Sequence, residues 1–309
     1  MKYLVTGGAG FIGSNIVKEL LKRGEQVRVL DNFATGKREN LFEFRENHNF
    51  ELIEGDLRSF HVVRNAVKSV DYILHQGALP SVPRSINDPI TTNEVNILGT
   101  LNILEAAKEF GIKRVIYASS SSVYGNSEIL SKVEDMSVAP LSPYALSKYT
   151  GERYCQIYSK IYGLETVVLR YFNVFGPNQD PTSQYSAVIP KFIKLMKEDK
   201  QPVVYGDGLQ SRDFTFVENN VIANILACTA EKAVGEVLNI ACGERYTLIQ
   251  LVENINRILG KNIKPIFEKE RVGDVKHSLA GIEKAKRILG FKVVCNFNDG
   301  LTKLILNSQ

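Results

Sequence analysis

Cysteine and histidine are scarce in this 309-residue chain, with four of each, and neither is clustered. Cys155, Cys228, Cys242 and Cys295 form no C-x-x-C pair and no mixed Cys/His group. That excludes the ligand spacing of a structural zinc site, and no metal is expected. Thiols this widely spaced suit a reducing compartment, so a cytoplasmic location is expected. No apolar run comes near the length of about 20 residues that crosses a bilayer, so no membrane partner is expected. A first strand that begins at Lys2 leaves no room for a signal peptide, and none is expected. Charge of one sign is missing too: 38 basic against 34 acidic residues leave +4, spread along the chain. Without a basic stripe, nucleic acid is not expected as a partner. Internal repeats and low-complexity linkers are also absent.

What the chain has is an ordinary globular balance, 44% apolar and 23% charged, with a core large enough to need no disulfides. Strand-like runs rich in Val, Ile and Leu recur at 3–6, 26–31, 50–55, 71–75, 113–119 and 165–171. Amphipathic helical segments lie between them, notably 11–24 and 89–111. This alternation predicts an α/β fold built on a doubly wound (Rossmann-like) parallel sheet, with right-handed crossovers covering both faces. After about residue 172 the rhythm loosens around Gly/Pro punctuation. The expected division is a dinucleotide-binding domain over 1–171, with 213–245 returning a helix and a strand to it. Residues 172–212 and 246–309 then form a smaller, interleaved C-terminal α/β substrate lobe.

TGGAGFIG (6–13) ends the first strand and opens the first helix. Gly8, Gly10 and Gly13 satisfy G-x-G-x-x-G; Gly7, Gly10 and Gly13 satisfy G-x-x-G-x-x-G. Glycine suits this place because a pyrophosphate must approach the backbone at the positive end of a helix, and because helix and strand pack closely. Asp31 closes the second strand at the spacing expected of a ribose-binding carboxylate. It would repel a 2′-phosphate, which favours NAD over NADP. Asp56 reads equally as an adenine contact and as a turn residue or helix cap.

LSPYALSKYTGE (141–152) carries the chemistry. Ser142 before Pro143 reads as a helix start, which puts Tyr144 and Lys148 one turn apart on one face. A phenol with a reference pKa of about 10 is a poor base at neutral pH. A nearby ammonium and an oxidised nicotinamide favour the phenolate, which can then take a hydroxyl proton while hydride leaves the same carbon. Among 13 tyrosines, Tyr144 alone is followed by lysine four residues on. A hydroxyl from Ser119, Ser120, Ser121 or Ser122 could hold the reacting oxygen in line; local chemistry does not choose among the four.

GGAGFIG, N-x-x-G-T (Asn96, Gly99, Thr100), SSSSVYG, YALSK and RYFNVFGP together resemble the extended short-chain dehydrogenase/reductase family. Within it the chain is similar to nucleotide-sugar 4-epimerases of the UDP-glucose/UDP-N-acetylglucosamine type, over nearly its whole length, with SRDFTFVE and RVGDVKHS as the later motifs. The resemblance implies Ser120 as the catalytic hydroxyl, with Ser121 next, Tyr144 as base, and Lys148 on the nicotinamide ribose. For NAD it implies Gly7, Gly10, Phe11, Ile12, Gly13, Asp31, Asn32, Gly36, Asp56, Leu57, Gln76, Gly77, Ala78, Asn96 and Tyr171, besides Tyr144 and Lys148. For the UDP-sugar it implies Ser81, Val82, Arg84, Ser120, Ser121, Tyr144, Asn173, Ala187, Val188, Lys191, Tyr205, Gln210, Arg212, Arg271, Asp274 and Ser278. Two arginines suit a diphosphate, since a planar fork pairs with its oxygens.

Departures refine the expectation. Pro80 stands where many UDP-galactose epimerases carry lysine, and SVPRS (81–85) is like the subgroup acting on N-acetylated sugars. Ser278 stands where glucose/galactose-restricted members resemble one another in a bulky tyrosine, so an acetamido group gains room. The serine-rich turn lacks the T-D-E of 4,6-dehydratases. The expected function is interconversion of UDP-GlcNAc and UDP-GalNAc, with UDP-Glc/UDP-Gal as further substrates, through a 4-keto intermediate. The alternatives are a UDP-glucuronate 4-epimerase or decarboxylase and, from another class, a non-catalytic NAD-sensing binding protein. Apolar stripes on the helices at 89–111 and 143–162 exceed one sheet contact, and in the family such helices form a four-helix contact, so a homodimer is expected.

Overall fold

The computed structural model describes residues 1–180, 188–270 and 276–307. Strands β1 (Lys2–Thr6), β2 (Gln26–Asp31), β3 (Phe50–Glu54), β4 (Tyr72–His75) and β5 (Arg114–Ser120) match the strand-like runs to within a residue or so. The two-residue strand β6 (Ser131–Lys132) is followed by β7 (Thr166–Tyr171), the short β8 (Val174–Phe175), β9 (Val203–Tyr205), β10 (Ser211–Arg212) and β11 (Thr215–Phe216), and then by β12 (Val237–Ile240). Seven of these form one parallel sheet in the order β12-β7-β5-β4-β1-β2-β3. β12 pairs with β7 through Val237↔Val168 to Ile240↔Tyr171, so residues far along the chain complete the sheet edge.

Alternation along β1 shows why both faces must be covered. Val5 belongs to the apolar cluster beneath α1 (Phe11–Lys22) and α8 (Val217–Thr229). Leu4 belongs to the cluster with α2 (Phe60–Val67), α5 (Gly99–Glu109) and α6 (Pro143–Tyr162) on the other side. The long helix expected over 89–111 is interrupted. Short helices α3 (Val82–Asn87) and α4 (Pro89–Asn93) lead into a π-helical turn, Glu94–Leu98, before α5 begins. The wider turn carries Asn96, whose buried amide accepts from Leu79 N (2.8 Å) and donates to Ser147 Oγ (3.0 Å). Such insertions concentrate at functional sites.

The remaining residues build a lobe with its own core, in which Phe175, Phe214, Phe216 and Phe297 pack ring on ring. Helices α7 (Val188–Lys197), α9 (Leu248–Leu259) and α11 (Phe297–Asn307) accompany two-residue and three-residue ladders, whereas α10 (Glu283–Leu289), expected in the lobe, packs into the sheet's core through Ala285 and Leu289. α9 starts at a reciprocal cap between Thr247 and Gln250, which satisfies two otherwise orphaned donors. All four cysteines are free and buried. Among the described residues, no helix is long and apolar enough to cross a membrane, and no cluster of three metal-type side chains occurs.

Candidate active site

Strand order reverses between β1 and β4, and ligands of such sheets bind at the carboxyl ends on either side of that point. A cleft opens there, lined by the glycine turn, the ends of β2 and β4, and Tyr144, Lys148 and Tyr171. Gly7 adopts φ +66°, and a Cβ on Gly13 would lie 2.2 Å from the Gly7 carbonyl oxygen. Gly10 begins α1 with no side-chain cap, leaving first-turn N–H groups to face the cleft. That is the donor set a pyrophosphate needs. Asp31 accepts from Ala9 N (2.9 Å) and Phe33 N (2.8 Å), one on each oxygen. Burial pushes its carboxyl up while those N–H groups oppose the shift. Each oxygen keeps a second lone pair for a ribose hydroxyl. The cradle therefore fits a dinucleotide.

Fifteen of the residues expected at the cofactor line this cleft: Gly7, Gly10, Phe11, Ile12, Gly13, Asp31, Asn32, Asp56, Leu57, Gln76, Gly77, Ala78, Tyr144, Lys148 and Tyr171. Gly36 and Asn96 stand behind it. Gly36 presses on Ala9, and Asn96 braces Leu79. Asp56 accepts from Asn32 Nδ2 (3.0 Å) and from Arg58, whose guanidinium draws its carboxyl down to about 2. Tyr171 donates to Gln76 Oε1 (3.2 Å) and accepts from Asn224 (2.6 Å); burial raises its phenol to about 12.

α6 begins as the sequence suggests, with Ser142 Oγ accepting from Ala145 N (3.1 Å) and Pro143 in the first turn. Tyr144 lines the cleft, with Ser120 of β5 nearby. Burial holds this phenol above its ordinary value, and the neighbouring Ser120 hydroxyl opposes that. Ser120 Oγ also accepts from Ser122 N (3.2 Å). Pleating sends Ser119 the other way, to Glu152 Oε1 at 2.5 Å. Ser121 opens a 3-10 turn, Ser121–Tyr124. Lys148 is buried, donates to the Ala118 carbonyl (2.9 Å), and is drawn down to about 8 by burial. Its ammonium is anchored on β5 rather than on the phenol.

Two further buried groups, His75 and Glu152, stand near this centre without a motif of their own. His75 lies buried between Thr6 Oγ1 (2.7 Å) and Thr100 Oγ1 (3.0 Å), and burial lowers it to about 3, so it is neutral. Glu152 pairs with Arg170 beneath Ser119. Its position eight residues after Tyr144 and four after Lys148, on the same helix face, was the available signal.

Several of the expected sugar-nucleotide residues lie on segments that hydrogen bonds tie together after β7 and around β10. Asn173, at φ +36°, donates to the Asp213 carbonyl (3.3 Å). Arg212 donates to the carbonyls of Ser211 (3.0 Å) and Lys276 (3.2 Å). Ser278 N donates to Ser211 O (3.0 Å), and Gln210 Nε2 donates to Tyr205 O (2.5 Å). Asp213 ties these segments together by accepting from Cys242 N, Gly243 N and Ala280 N at 3.0–3.2 Å. Ser81, at φ +100°, accepts from Arg84 N (3.3 Å) at the start of α3, and Val82 opens that helix. Pro80 lines the cleft itself. Val188 and Lys191 lie at the start of α7, with Lys191 exposed. Ala187, Arg271 and Asp274 lie outside the described residues.

A parallel sheet with a glycine-turn cleft, a Ser–Tyr–Lys set beside it and an arginine-bearing lobe define an NAD-dependent enzyme of the extended short-chain type. Residues 3–241 match the model of the NAD dependent epimerase/dehydratase family, and the chain belongs to that family. The chain is 40% identical to a solved UDP-N-acetylglucosamine 4-epimerase from Methanobrevibacter ruminantium M1, in complex with UDP-N-acetylmuramic acid. That match has a TM-score of 0.94 and covers 99% of this chain and 97% of the other. It is 35% identical to UDP-glucose 4-epimerase from Thermotoga maritima with UDP-glucose, TM-score 0.93, covering 99% and 98%. It is 34% identical to UDP-glucuronic acid 4-epimerase from Bacillus cereus in complex with UDP-glucuronic acid and NAD, TM-score 0.91, covering 99% and 98%.

Proposed function

We propose that this protein is a UDP-hexose 4-epimerase whose principal substrates are UDP-GlcNAc and UDP-GalNAc, with UDP-Glc and UDP-Gal as further substrates. The observation that carries the reading is a single cleft lined together by the glycine turn, Tyr144 and Lys148. Bound in that cleft, NAD supplies a reversible acceptor for the hydrogen and electron pair on the sugar's C4. Tyr144 takes the proton of the 4-hydroxyl, and Ser120 holds that oxygen in line. Burial alone keeps the phenol protonated, so its base form depends on positive charge beside it. The Lys148 ammonium provides part of that charge and holds the nicotinamide ribose; Ser121 stands as the second candidate hydroxyl. Asp31 and Asp56 hold the adenosine end.

Arg212, with Arg271 assigned as its counterpart from the sequence, grips the diphosphate while the 4-keto sugar turns its other face to the cofactor site, from which the hydride taken from C4 would return. Tyr144 then returns the proton, and C4 is inverted with no external oxidant consumed. Asp274, Asn173, Ala187, Val188, Lys191, Tyr205 and Gln210 complete the nucleotide side. Ser81, Val82, Arg84 and Ser278 border the sugar, with Ser278 leaving space for the acetamido group.

Interconversion of UDP-GlcNAc and UDP-GalNAc by the purified protein tests the reading; no turnover of these or of the unacetylated pair would end it. The 34% likeness to a UDP-glucuronic acid 4-epimerase keeps UDP-glucuronate as the second substrate to supply, with carbon dioxide release separating a decarboxylase. We also assign a homodimer, supported by exposed apolar side chains on α4 and α6, among them Ile90, Leu146 and Ile161. A cytoplasmic location is supported by four unpaired, buried thiols.

A further inference from the structure

Tyr144, Lys148 and Glu152 form a column on one face of α6, each one turn beyond the last. The third member is 1% exposed, yet it is a carboxylate. It is held from three sides: Ser119 Oγ donates to Oε1 (2.5 Å), and Arg170 donates through Nε (2.9 Å) and Nη2 (2.7 Å). Ser119 and Arg170 face each other across the β5–β7 ladder, so the carboxylate is locked both to β5, which leads into the serine turn, and to β7. A buried ion pair is weak evidence for stability, because desolvation offsets its attraction. Its placement one turn below the Lys148 ammonium calls for another account.

We propose that Glu152 is a positioning residue for the reaction: clamped by Arg170 and Ser119, its carboxylate is the buried counter-charge that holds the Lys148 ammonium charged and seated on the Ala118 carbonyl. The inference rests on the reading of Lys148 as the partner of Tyr144. The groups that face Lys148 leave little else for the task. Tyr117, from β5, is buried and far above its ordinary value, and Tyr144 is also held protonated. His75, from β4, is neutral and held by two threonines. Burial pushes the Cys155 thiol well up, so it carries no charge near neutrality. Burial is the largest influence on Lys148 and removes charge from it; Cys155 and then Glu152 oppose this, and of the two only the Glu152 side chain is a carboxyl held by an arginine.

The test follows Lys148 itself by heteronuclear NMR of lysine side chains across pH 6 to 11, without cofactor or sugar, beside the pH profile of turnover. Glu152→Gln is expected to move the Lys148 midpoint down by about one unit, with the alkaline limb of kcat moving in parallel. Glu152→Asp, which keeps the charge, is expected to restore most of the shift. A lower melting temperature with an unmoved Lys148 midpoint would overturn the proposal and leave Glu152 a merely structural residue. Where the single variant does not fold, Arg170→Met, which removes the cation that offsets the Glu152 carboxylate, is followed instead: the Lys148 midpoint is expected to rise, and an unmoved midpoint overturns the proposal. The NMR readout needs no turnover, so a wrong substrate assignment would appear as absent activity with the Lys148 shift intact.

Discussion

The Lys148 ammonium sits 2.9 Å from the Ala118 carbonyl, one residue before Ser119 and two before Ser120. The cation expected to attend the Tyr144 phenol is thus tied to the strand that presents the serine, and the three groups are fixed relative to one another by β5 and α6 alone. The set is therefore preformed, which is what an orientation-dependent reaction requires.

Replacing Tyr144 with Phe removes the proton acceptor and leaves the ring. Turnover is expected to fall by at least about a thousandfold, the scale of a lost acid–base group. NAD affinity, measured by fluorescence titration, is expected to stay within about threefold, because phosphate and ribose contacts are untouched.

Lys148 gives the pH dependence its sign. Its folded value of about 8 lies below its unfolded one, so activity that needs the ammonium is expected to decline above about pH 8. For stability the unfolded chain binds the extra proton between about 8 and 10.4, so this group's contribution rises with pH across that window. His75 acts in the same sense at lower pH. With a folded value of about 3, it costs stability as pH falls from about 6.5 toward 3. Thermal melts at fixed ionic strength check both windows.

Gly13→Ala is expected to weaken NAD binding more than about tenfold, since a methyl 2.2 Å from the Gly7 carbonyl must push apart the turn that receives the pyrophosphate. Equilibrium dialysis of NAD measures this. A comparable affinity would mean that the turn does not hold the phosphates.

Ser278→Tyr is expected to reduce kcat/KM for UDP-GlcNAc by about 10- to 200-fold relative to UDP-Glc, the range available to a steric change in a pocket. Equal losses on both sugars would detach Ser278 from the acetamido group.

Sedimentation velocity is expected to report a dimer, and Ile161→Asp to yield a monomer, because Ile161 is 67% exposed on the outer side of α6. A charge there would be buried unpaired in a helix–helix contact.

Much of this was legible in the linear chain because it is local. The glycine turn, the strand ending in Asp31, and the Tyr144–Lys148 step each depend on spacing within one or two elements, and backbone geometry converts such spacing into position. The choice among four serines was not legible. The pleat at the end of β5 sends Ser119 to Glu152, while Ser120 Oγ accepts from Ser122 N. Nor did the sequence reveal the π turn at Glu94–Leu98, which breaks a helix whose apolar period runs straight through.

By itself, then, the sequence determined the sheet's strands, the glycine turn and the Tyr144–Lys148 step on α6, all products of short-range periodicity and steric need. Tertiary structure decided that Ser119 turns to Glu152, which carbonyl seats the Lys148 ammonium, and that β12 closes the sheet beside β7. Those outcomes depend on contacts between residues far apart in the chain, and only the packed fold brings such residues within reach of one another.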